Sequence, residues 1–471
     1  MDLLRLQTRL AFALRPLAAL FRLGASLRRR SWESGYRNRL RPSCPCISVG
    51  NIAWGGTGKT PITDWLLTWA ETRKLRSVVL SRGYKADVRL SSIYVRHHHR
   101  AREVGDEPLM LAQDHPESAV LVDPDRQRSG RYAMRCLSPD LLLLDDGFQH
   151  LSLRRDLDLV LLRPEDLGTE WNRLIPAGSW RESADALSRA DAFLIKCDRA
   201  GMERLLPAIR TRLARFKRPV FSFTLRPVGL EPIGTRNSPP ETLRRKPYAL
   251  TAGVGNPIQV RETVTAFLGH APEAEFFFPD HHAYGFRDVE RITQAGLPVI
   301  CTRKDAVKLR ELSAADVWAL RVEACFGPSV WAGTSFPRWF DEWWRLRQEN
   351  SIEQLGPRDS RWTGFAADAD LWDETPPPPP RAAGNDPAAA SGPADSAAPA
   401  EDPTAPPDRP DRADATDATE PANTTPPETG PDAEHVPAPD ADNDPATMSR
   451  TFSCASDISP DTGEPRGASG E

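Results

Sequence analysis

The sequence predicts an α/β protein with a doubly wound, mainly parallel β-sheet, a second, smaller α/β domain and a disordered C-terminal tail. Two observations predict the sheet: short apolar runs alternate with helical segments from residue 46 onward, and most of the runs are apolar throughout. Strands of that kind are covered by helices on both faces. A third observation predicts the tail, because the composition changes abruptly after residue 375.

The first element is a basic, amphipathic segment, residues 1–43, which contains ten arginines and two acidic residues. Arginines interrupt it too often for a membrane-spanning helix, and it does not have the pattern of a signal peptide. We expect a helix that lies in the membrane interface, with the arginines at 28–30 near anionic headgroups. The alternative is a helix packed on the protein's own core. The apolar residues that predict the helix, at spacings of three and four, are Leu3, Leu6, Leu10, Leu14, Leu17 and Phe21.

Residues 44–225 are predicted to form the first α/β domain. Its apolar runs are separated by segments of helical character, as the crossovers of a parallel sheet require. The predicted strands are residues 46–49, 78–81, 119–122, 141–144, 157–162, 192–197 and 219–223.

Residues 226–350 are predicted to form the second domain. The stretch 226–246 is rich in Pro, Gly and Arg, and we interpret it as the connection between the domains. Beyond it the strand pattern restarts, and a last helix is predicted over 337–348, where Phe340, Trp343 and Trp344 suit a helix. The predicted strands of this domain are residues 248–252, 275–278, 299–302 and 317–322.

Residues 351–471 are predicted to be a linker and a disordered acidic tail. From residue 376 onward the chain holds 21 of its 45 prolines, and 19 acidic residues against five arginines. Such a segment cannot bury enough apolar surface to offset the entropy of ordering its backbone. Residues 1–375 have a net charge of +10, which indicates an anionic partner: a phosphorylated substrate, a membrane surface or nucleic acid.

The strongest motif occupies residues 48–61 and follows a predicted strand. Its sequence, SVGNIAWGGTGKTP, approximates the phosphate-binding loop GxxxxGK(S/T) that opens a helix. Its glycines would let backbone N–H groups turn toward phosphates, Lys59 would reach the β- and γ-phosphates, and the Thr60 hydroxyl would bind Mg²⁺. Ala53 stands where the pattern has its first glycine. The alternative is a chance glycine-rich turn.

A second motif follows the apolar run at residues 141–144. Asp145 and Asp146 come directly after that run, the Walker-B arrangement that places a carboxylate beside the magnesium held by a phosphate-binding loop. Together the two motifs predict a P-loop NTPase-like fold. On its own, the second motif could be an exposed Asp-Asp-Gly turn.

Two weaker motifs supply candidate acid–base groups. Asp106 and Glu107 stand at the start of a predicted helix, where carboxylates also serve as ordinary caps. Asp280 precedes His281 after a strand of the second domain, so Asp280 could orient His281 as a base or as a positioned donor. The alternative for His281 and His282 is a pair of solvent-exposed histidines.

Taken together, these residues closely resemble the tetraacyldisaccharide 4′-kinase family over residues 5–345. Ala53 agrees with the resemblance, since the family's loop commonly lacks the first glycine. Trp180 and Ser183 depart from the residues usual in the family and bear on the local shape of the substrate loop. The matching segments, in order, are residues 48–61, 81–84, 105–108, 145–150, 176–178 with 181–182, 280–282 and 302–308.

The resemblance implies a kinase of lipid A biosynthesis that uses ATP and Mg²⁺. It would transfer the γ-phosphoryl group of ATP to the 4′-hydroxyl of a tetraacyldisaccharide 1-phosphate, forming lipid IVA. The implied ATP-binding residues are Gly55, Gly56, Thr57, Gly58, Lys59 and Thr60. Those near Mg²⁺ are Thr60, Glu107, Asp145 and Asp146. The catalytic residues would be Asp106, His281 and Asp280, and the substrate would contact Arg82, Tyr84, Gln149, His150, Arg181 and Glu182.

The same resemblance implies the partners and the location of the protein. The partners would be the acylated glucosamine disaccharide 1-phosphate and, through the N-terminal helix, the surface of the inner membrane. The protein would be a peripheral monomer on the cytoplasmic face, and no nucleic acid would be involved. A basic amphipathic N-terminus suits a substrate whose acyl chains stay in the bilayer.

Two other function classes remain open at this point. Residues 195–198, Ile-Lys-Cys-Asp, resemble the (N/T)KxD base-reading motif of GTPases, which would favour a nucleotide switch or a metallochaperone. Against this, Ile195 replaces the required Asn or Thr, and the sequence offers no Cys or His cluster for a metal. A membrane-associated ATP-binding scaffold would require the carboxylates to be incidental.

Overall fold

The computed structural model describes residues 12–83, 91–233, 243, 246–310 and 316–354. In that part of the chain, twelve strands form one continuous sheet. The strands are β1 (Cys46–Asn51), β2 (Ser77–Ser81), β3 (Ile93–Tyr94), β4 (Ala119–Val122), β5 (Leu141–Asp145), β6 (Leu157–Leu162), β7 (Ala192–Lys196), β8 (Val220–Pro232), β9 (Ala249–Ala252), β10 (Ala274–Phe277), β11 (Val299–Thr302) and β12 (Val317–Val330).

The order of the strands determines where side chains converge. The order is β10-β9-β11-β12-β8-β7-β6-β1-β5-β2-β4-β3, and neighbours are parallel except for β3 with β4 and β8 with β12. Because β1 pairs in parallel with both β5 and β6, the carboxyl ends of these strands meet at one edge of the sheet. Ligands of open α/β sheets bind at that edge.

Helices connect most of the parallel strands, as the alternating pattern predicts. The helices of the described residues are α1 (Arg15–Glu33), α2 (Lys59–Thr72), α3 (Ala101–Val104), α4 (Asp106–Asp114), α5 (Arg126–Tyr132), α6 (Arg199–Leu213), α7 (Pro257–Leu268), α8 (Phe286–Thr293), α9 (Arg303–Leu309) and α10 (Phe336–Gln354).

Strand β8 corrects the prediction of a connection over residues 226–246, because its pairing with β12 continues to Pro232. The boundary expected at residue 225/226 therefore falls within a strand. The register shifts where Arg321 pairs with Gly229 and Val322 pairs with Pro227, so one residue of β8 is left over as a bulge. A bulge accommodates a proline, which has no N–H to donate to the ladder. Prolines and glycines are also typical of connections, and for that reason this stretch was interpreted as a linker.

The N-terminal helix α1 carries an exposed apolar stripe. Leu17, Leu20, Leu23 and Leu27 each keep more than half of their surface exposed. Of these, only Leu17 belongs to the predicted stripe, whose other described members are Leu14 and Phe21; Leu3, Leu6 and Leu10 lie outside the described residues. No helix among the described residues has the length and apolar character needed to cross a membrane.

The last helix, α10, packs against the helix that follows the glycine-rich loop. The rings of Trp69 on α2 and Phe340 on α10 lie 4.7 Å apart, edge to face, an arrangement aromatic pairs prefer. The Trp69 indole N–H also donates to the Asp341 carboxylate at 2.8 Å. The predicted helix over 337–348 is therefore present and reaches Gln354. Its aromatic face helps to hold α2 in place.

A buried histidine connects α2 with the end of α4. His115 Nε2 lies 2.9 Å from Asp64 and Nδ1 lies 3.0 Å from Glu71, and both carboxylates belong to α2. Burial alone would lower the pKa of His115, but the hydrogen bonds to the two carboxylates outweigh it and raise the pKa. Since α2 begins at Lys59 and α4 begins at Asp106, this clamp ties together two helices whose first turns hold candidate site residues.

We expect His115→Gln to destabilise the protein more at about pH 5.5 than at about pH 8. The folded pKa is raised above the unfolded value of about 6.5. The imidazolium therefore contributes its full stability below about pH 6.5 and loses it as the pH rises through the folded pKa. Losing a charged hydrogen bond costs about 1–3 kcal/mol at the lower pH.

Thermal unfolding of both proteins at the two pH values measures this difference. His98→Gln is the control, because His98 is exposed and contacts no carboxylate among the described residues. Equal destabilisation of His115→Gln at both pH values would show that the clamp does not depend on the charge of His115.

Candidate active site

The glycine-rich loop joins β1 to α2 at the carboxyl edge of the sheet. Gly58 ends the loop with φ of 90°, a left-handed conformation, and a Cβ there would come within 3.0 Å of the Phe223 ring. Glycine is therefore the residue that fits at this turn. Asn51, the last residue of β1, donates to the Thr57 hydroxyl at 3.1 Å and so fixes the middle of the loop. The helix N-terminus directly after Gly58 offers unpaired N–H groups to an anion.

Ala53, the departure from the phosphate-loop pattern, is fully buried. It forms an antiparallel bridge with Trp180, and the adjacent Trp54 N–H donates to Ser179 O at 2.9 Å. The start of the loop is thus held by the segment that contains the predicted substrate residues Arg181 and Glu182.

Lys59 and Asp146 face each other across the loop. Lys59 Nζ lies 3.7 Å from Asp146 Oδ1, and both Nη atoms of Arg181 donate to the Asp146 carboxylate at 2.8 Å. Burial alone would raise the pKa of Asp146, but the hydrogen bonds from Arg181 and the charge of Lys59 outweigh it. The pKa is lowered, and Asp146 is an ionised carboxylate between two cations.

Asp145 lies in the opposite electrostatic environment. Ser81 Oγ donates to Asp145 Oδ2 at 3.1 Å, whereas Asp145 Oδ1 is buried without a hydrogen-bond partner among the described residues. Burial, followed by the negative charge of Glu107, raises the pKa of Asp145 to about 6. A cation beside Oδ1 would remove both penalties.

These observations test whether the predicted magnesium residues fit the ion. No group of three His, Cys, Asp or Glu side chains within the described ranges could hold a metal by itself. Magnesium, however, is usually held by one or two carboxylates together with water and substrate phosphates. Asp145 fits that requirement, with Thr60 on the first turn of α2. The other two predicted residues already have cationic partners. Glu107 pairs with Lys304, and Asp146 pairs with Lys59 and Arg181.

The candidate acid–base residues Asp106 and His281 are brought together although 175 positions separate them in the chain. His281 Nδ1 lies 3.0 Å from both carboxylate oxygens of Asp106. Asp106 is buried at the start of α4, and burial alone would raise its pKa. The hydrogen bond from His281 and the charges of Lys304 and Lys308 outweigh burial and lower the pKa of Asp106 to about 2.

Asp280 makes a long contact with His281, which the sequence suggested it could orient, and a shorter contact with Lys304. Its Oδ1 lies 3.9 Å from His281 Nε2, beyond hydrogen-bond distance, and accepts from Lys304 Nζ at 2.9 Å instead. Lys304 Nζ also lies 3.0 Å from His281 Nε2 and 3.2 Å from Glu107 Oε1. Asp280 therefore pairs mainly with the Lys304 ammonium, and Asp106 is the carboxylate that orients His281.

The sequence analysis assigned no role to Lys304, although it lies in the matching segment 302–308. Burial alone would lower the pKa of Lys304, but Glu107, Asp106 and Asp280 outweigh it and raise the pKa, so the ammonium form is held. Lys308, one turn later on α9, lies 3.5 Å from Asp106 Oδ2. The sequence did offer one indication. Lys304 and Lys308 are four residues apart, so they lie on the same face of a helix and can serve one site.

The predicted substrate residues line a cavity of about 810 Å³ between α1 and the carboxyl edge of the sheet. Helix α1 contributes Phe21, Ala25, Arg28 and Trp32 to its wall. Tyr84 lies outside the described residues. The predicted substrate residues found in the wall are Arg82, Gln149, His150, Arg181 and Glu182.

Arg126 is a cavity residue that the sequence analysis missed. Its side chain is buried, donates to the backbone carbonyl of Asp123 and leaves Nε without a partner among the described residues. Burial lowers the pKa of Arg126 to about 10, and burial followed by the charge of Arg126 lowers the pKa of His150 to about 3. The cavity therefore presents a buried cation beside a neutral imidazole.

Comparison with known proteins decides the family. The family model described as tetraacyldisaccharide-1-P 4′-kinase, LpxK, matches residues 10–334. The chain belongs to the tetraacyldisaccharide 4′-kinase family. It is 49% identical to the tetraacyldisaccharide 4′-kinase of Nitratidesulfovibrio vulgaris over 352 residues, which cover 74% of this chain and 99% of the relative. It is 38% identical to that of Pseudomonas aeruginosa, over 70% of this chain and 91% of the relative.

A solved structure of the family has the same fold. The crystal structure of LpxK from Aquifex aeolicus, described as an "apo" form in complex with ATP, superposes with a TM-score of 0.56 at 26% identity. The match covers 73% of this chain and 99% of that chain. The predicted family and the predicted α/β class with a large, mainly parallel sheet are therefore confirmed.

Proposed function

We propose that this member of the family transfers the γ-phosphoryl group of ATP to the 4′-hydroxyl of a tetraacyldisaccharide 1-phosphate, forming lipid IVA. One observation carries the proposal: the Asp106–His281 pair adjoins the phosphate-binding edge of the sheet. Glu107, next to Asp106 in the chain, is close enough to Asp145 for its charge to raise the pKa of Asp145. A proton acceptor and a phosphate site side by side are what transfer to a hydroxyl requires.

The loop residues 55–60 supply the phosphate-binding part of the site. Their backbone N–H groups would surround the phosphates of ATP, and Lys59, which faces Asp146, would reach the β- and γ-phosphates. A magnesium ion held by Asp145 and Thr60, near Glu107 and Asp146, would neutralise negative charge on the phosphates.

Asp106 and His281 supply the proton acceptor. The Lys304 ammonium can only donate, so His281 Nε2 is the acceptor of that contact, and Nδ1 carries the proton that it donates to Asp106. The ionised Asp106 holds the imidazole in this tautomer, with Nε2 free of a proton. A movement of Lys304 away from Nε2 would open this atom to the hydroxyl of the sugar.

The 810 Å³ cavity supplies the acceptor site. Arg82, Arg126 and Arg181 provide positive charge for a phosphorylated sugar, and Gln149 and His150 provide neutral polar contacts. Helix α1 forms one wall, and its exposed leucines lie on the adjoining helical face. Acyl chains that leave the cavity along this stripe would remain in the bilayer, and the proposal therefore includes a peripheral location at the cytoplasmic face of the inner membrane. The monomeric state stays a prediction.

The purified full-length chain with ATP or GTP, with and without a tetraacyldisaccharide 1-phosphate, tests the proposal. We expect ATP-dependent phosphate transfer to the 4′ position, seen as a mass increase of one phosphate, and little turnover without the acceptor. A preference for GTP with acceptor-independent hydrolysis would favour the nucleotide switch. ATP binding without transfer would favour the scaffold.

A further inference from the structure

A second cavity, of about 410 Å³, lies apart from the proposed active site. It forms where the segment that leaves α1 crosses the beginning of β6, and Arg347 of α10 closes one side. Its size lies within the range of about 300–1,000 Å³ that is usual for ligand sites. Its wall contains six arginines and two aspartates: Arg39, Arg41, Arg154, Arg155, Arg189 and Arg347 with Asp156 and Asp158.

The backbone places three of these arginines side by side. Leu40 N–H donates to Ser152 O at 2.9 Å, and Arg154 N–H donates to Leu40 O at 2.8 Å. Leu40 packs toward the core, so its neighbours Arg39 and Arg41 project to the opposite side of this extended segment, next to Arg154. The fold itself therefore brings like charges together.

The acidic residues of the wall are already engaged. Asp158 pairs with Arg155 at 2.9 Å, and Asp156 accepts from Arg347 at 2.9 Å and from the Cys46 N–H at 2.9 Å. Arg189 is paired with Glu182, at 2.9 Å. Arg39, Arg41 and Arg154 form no ion pair with a carboxylate among the described residues, although the nearby negative charge of Glu33 acts on Arg39. The cavity therefore keeps an excess of positive charge.

Two guanidinium atoms in the wall are also buried without a hydrogen-bond partner in the described part of the chain. They are Nη2 of Arg39 and Nε of Arg189. Burial, followed by the positive charge of Arg155, lowers the pKa of Arg39. A buried donor without a partner costs about 1–3 kcal/mol, and a shift of either side chain toward an anion in the cavity would reduce that cost.

We propose that this cavity is a binding site for a phosphate group, held by Arg39, Arg41 and Arg154. Guanidinium groups match phosphate oxygens in charge and in geometry. The group belongs either to the headgroup of an anionic lipid or to a free phosphate. The site lies just beyond the end of α1, whose apolar stripe is exposed, and this position favours the lipid.

Two binding measurements on the full-length chain distinguish these sources. Both use a Lys59→Ala background, so that the phosphate-binding loop does not dominate the result. Calorimetric titration with inorganic phosphate measures the free anion. Sedimentation with vesicles of phosphatidylcholine, with and without phosphatidylglycerol, measures the lipid headgroup.

The test variant is Arg41→Gln with Arg154→Gln, because both side chains are exposed and their loss leaves the core intact. The matched control is Arg210→Gln with Arg287→Gln, which removes the same charge from exposed positions outside both cavities. Arg39→Gln is a second test variant that removes the deeper group.

If the lipid is the ligand, the test variants bind phosphatidylglycerol vesicles roughly tenfold more weakly than the control. A comparable loss in the phosphate titration alone identifies the free anion and supports the site equally. If neither test variant differs from the control in either measurement, the arginines form a structural network only and the proposal is wrong. None of these measurements depends on kinase activity, so they are independent of the proposed function.

Discussion

Asp106→Ala and His281→Ala are each expected to lower kcat by about 10²–10⁴-fold, the range for loss of a general acid–base group, with little change in KM for ATP. The pair shares one hydrogen-bonded contact, with Nδ1 at 3.0 Å from both carboxylate oxygens. Residues that act as a unit are non-additive. The double variant should therefore be only slightly slower than the slower single variant.

Steady-state kinetics with saturating acceptor measures these effects, and circular dichroism verifies folding. His282→Ala is the matched control, since His282 adjoins His281 in the chain but contacts Asp288 at 3.1 Å. Fully additive losses would show that Asp106 and His281 act independently. A normal kcat in His281→Ala would make that histidine a bystander.

Lys59→Ala is the second change with a large expected effect. It removes the charge that we propose reaches the β- and γ-phosphates, and we expect a loss of kcat of about 10²–10³-fold or more with the fold unchanged. Arg181 remains to pair with Asp146 in the variant, which limits structural damage at the carboxylate.

Turnover of the variant is measured alongside its circular dichroism spectrum. Lys246→Ala serves as the control, because Lys246 is exposed and lies outside both cavities. Activity close to that of the unmodified protein would show that the loop at residues 55–60 does not bind the transferred phosphate.

Local patterns predicted most strands of the sheet. Nine strands lie within two residues of their expected bounds, because buried parallel strands are continuous apolar runs that need no partner to be identified. Strand β3 was missed, since it has two residues and pairs only with β4. Strands β8 and β12 were both predicted too short, because they extend together as an antiparallel pair and the prolines of β8 that suggested a linker are accommodated by a bulge.

The candidate site divides in the same way. The loop before Lys59 and the acids at the end of β5 could be predicted because each is a contiguous motif whose residue types match phosphate and magnesium chemistry. The roles of Asp280 and Lys304 could not be predicted, because they depend on which charged side chain lies closest to Asp280 in the folded protein. Asp280 lies 2.9 Å from Lys304 but 3.9 Å from His281.

By itself the sequence determined the α/β class, the order of the elements, the position of the glycine-rich loop and the residue types available for chemistry. These properties depend on the periodicity of apolar residues and the spacing of glycines within short, continuous segments of the chain. Only the tertiary structure decided that Asp106 meets His281, that Lys304 lies between Asp280 and Glu107, and that three arginines share a cavity. Each of these depends on contacts between segments far apart in the chain, which packing of the sheet and its helices brings together.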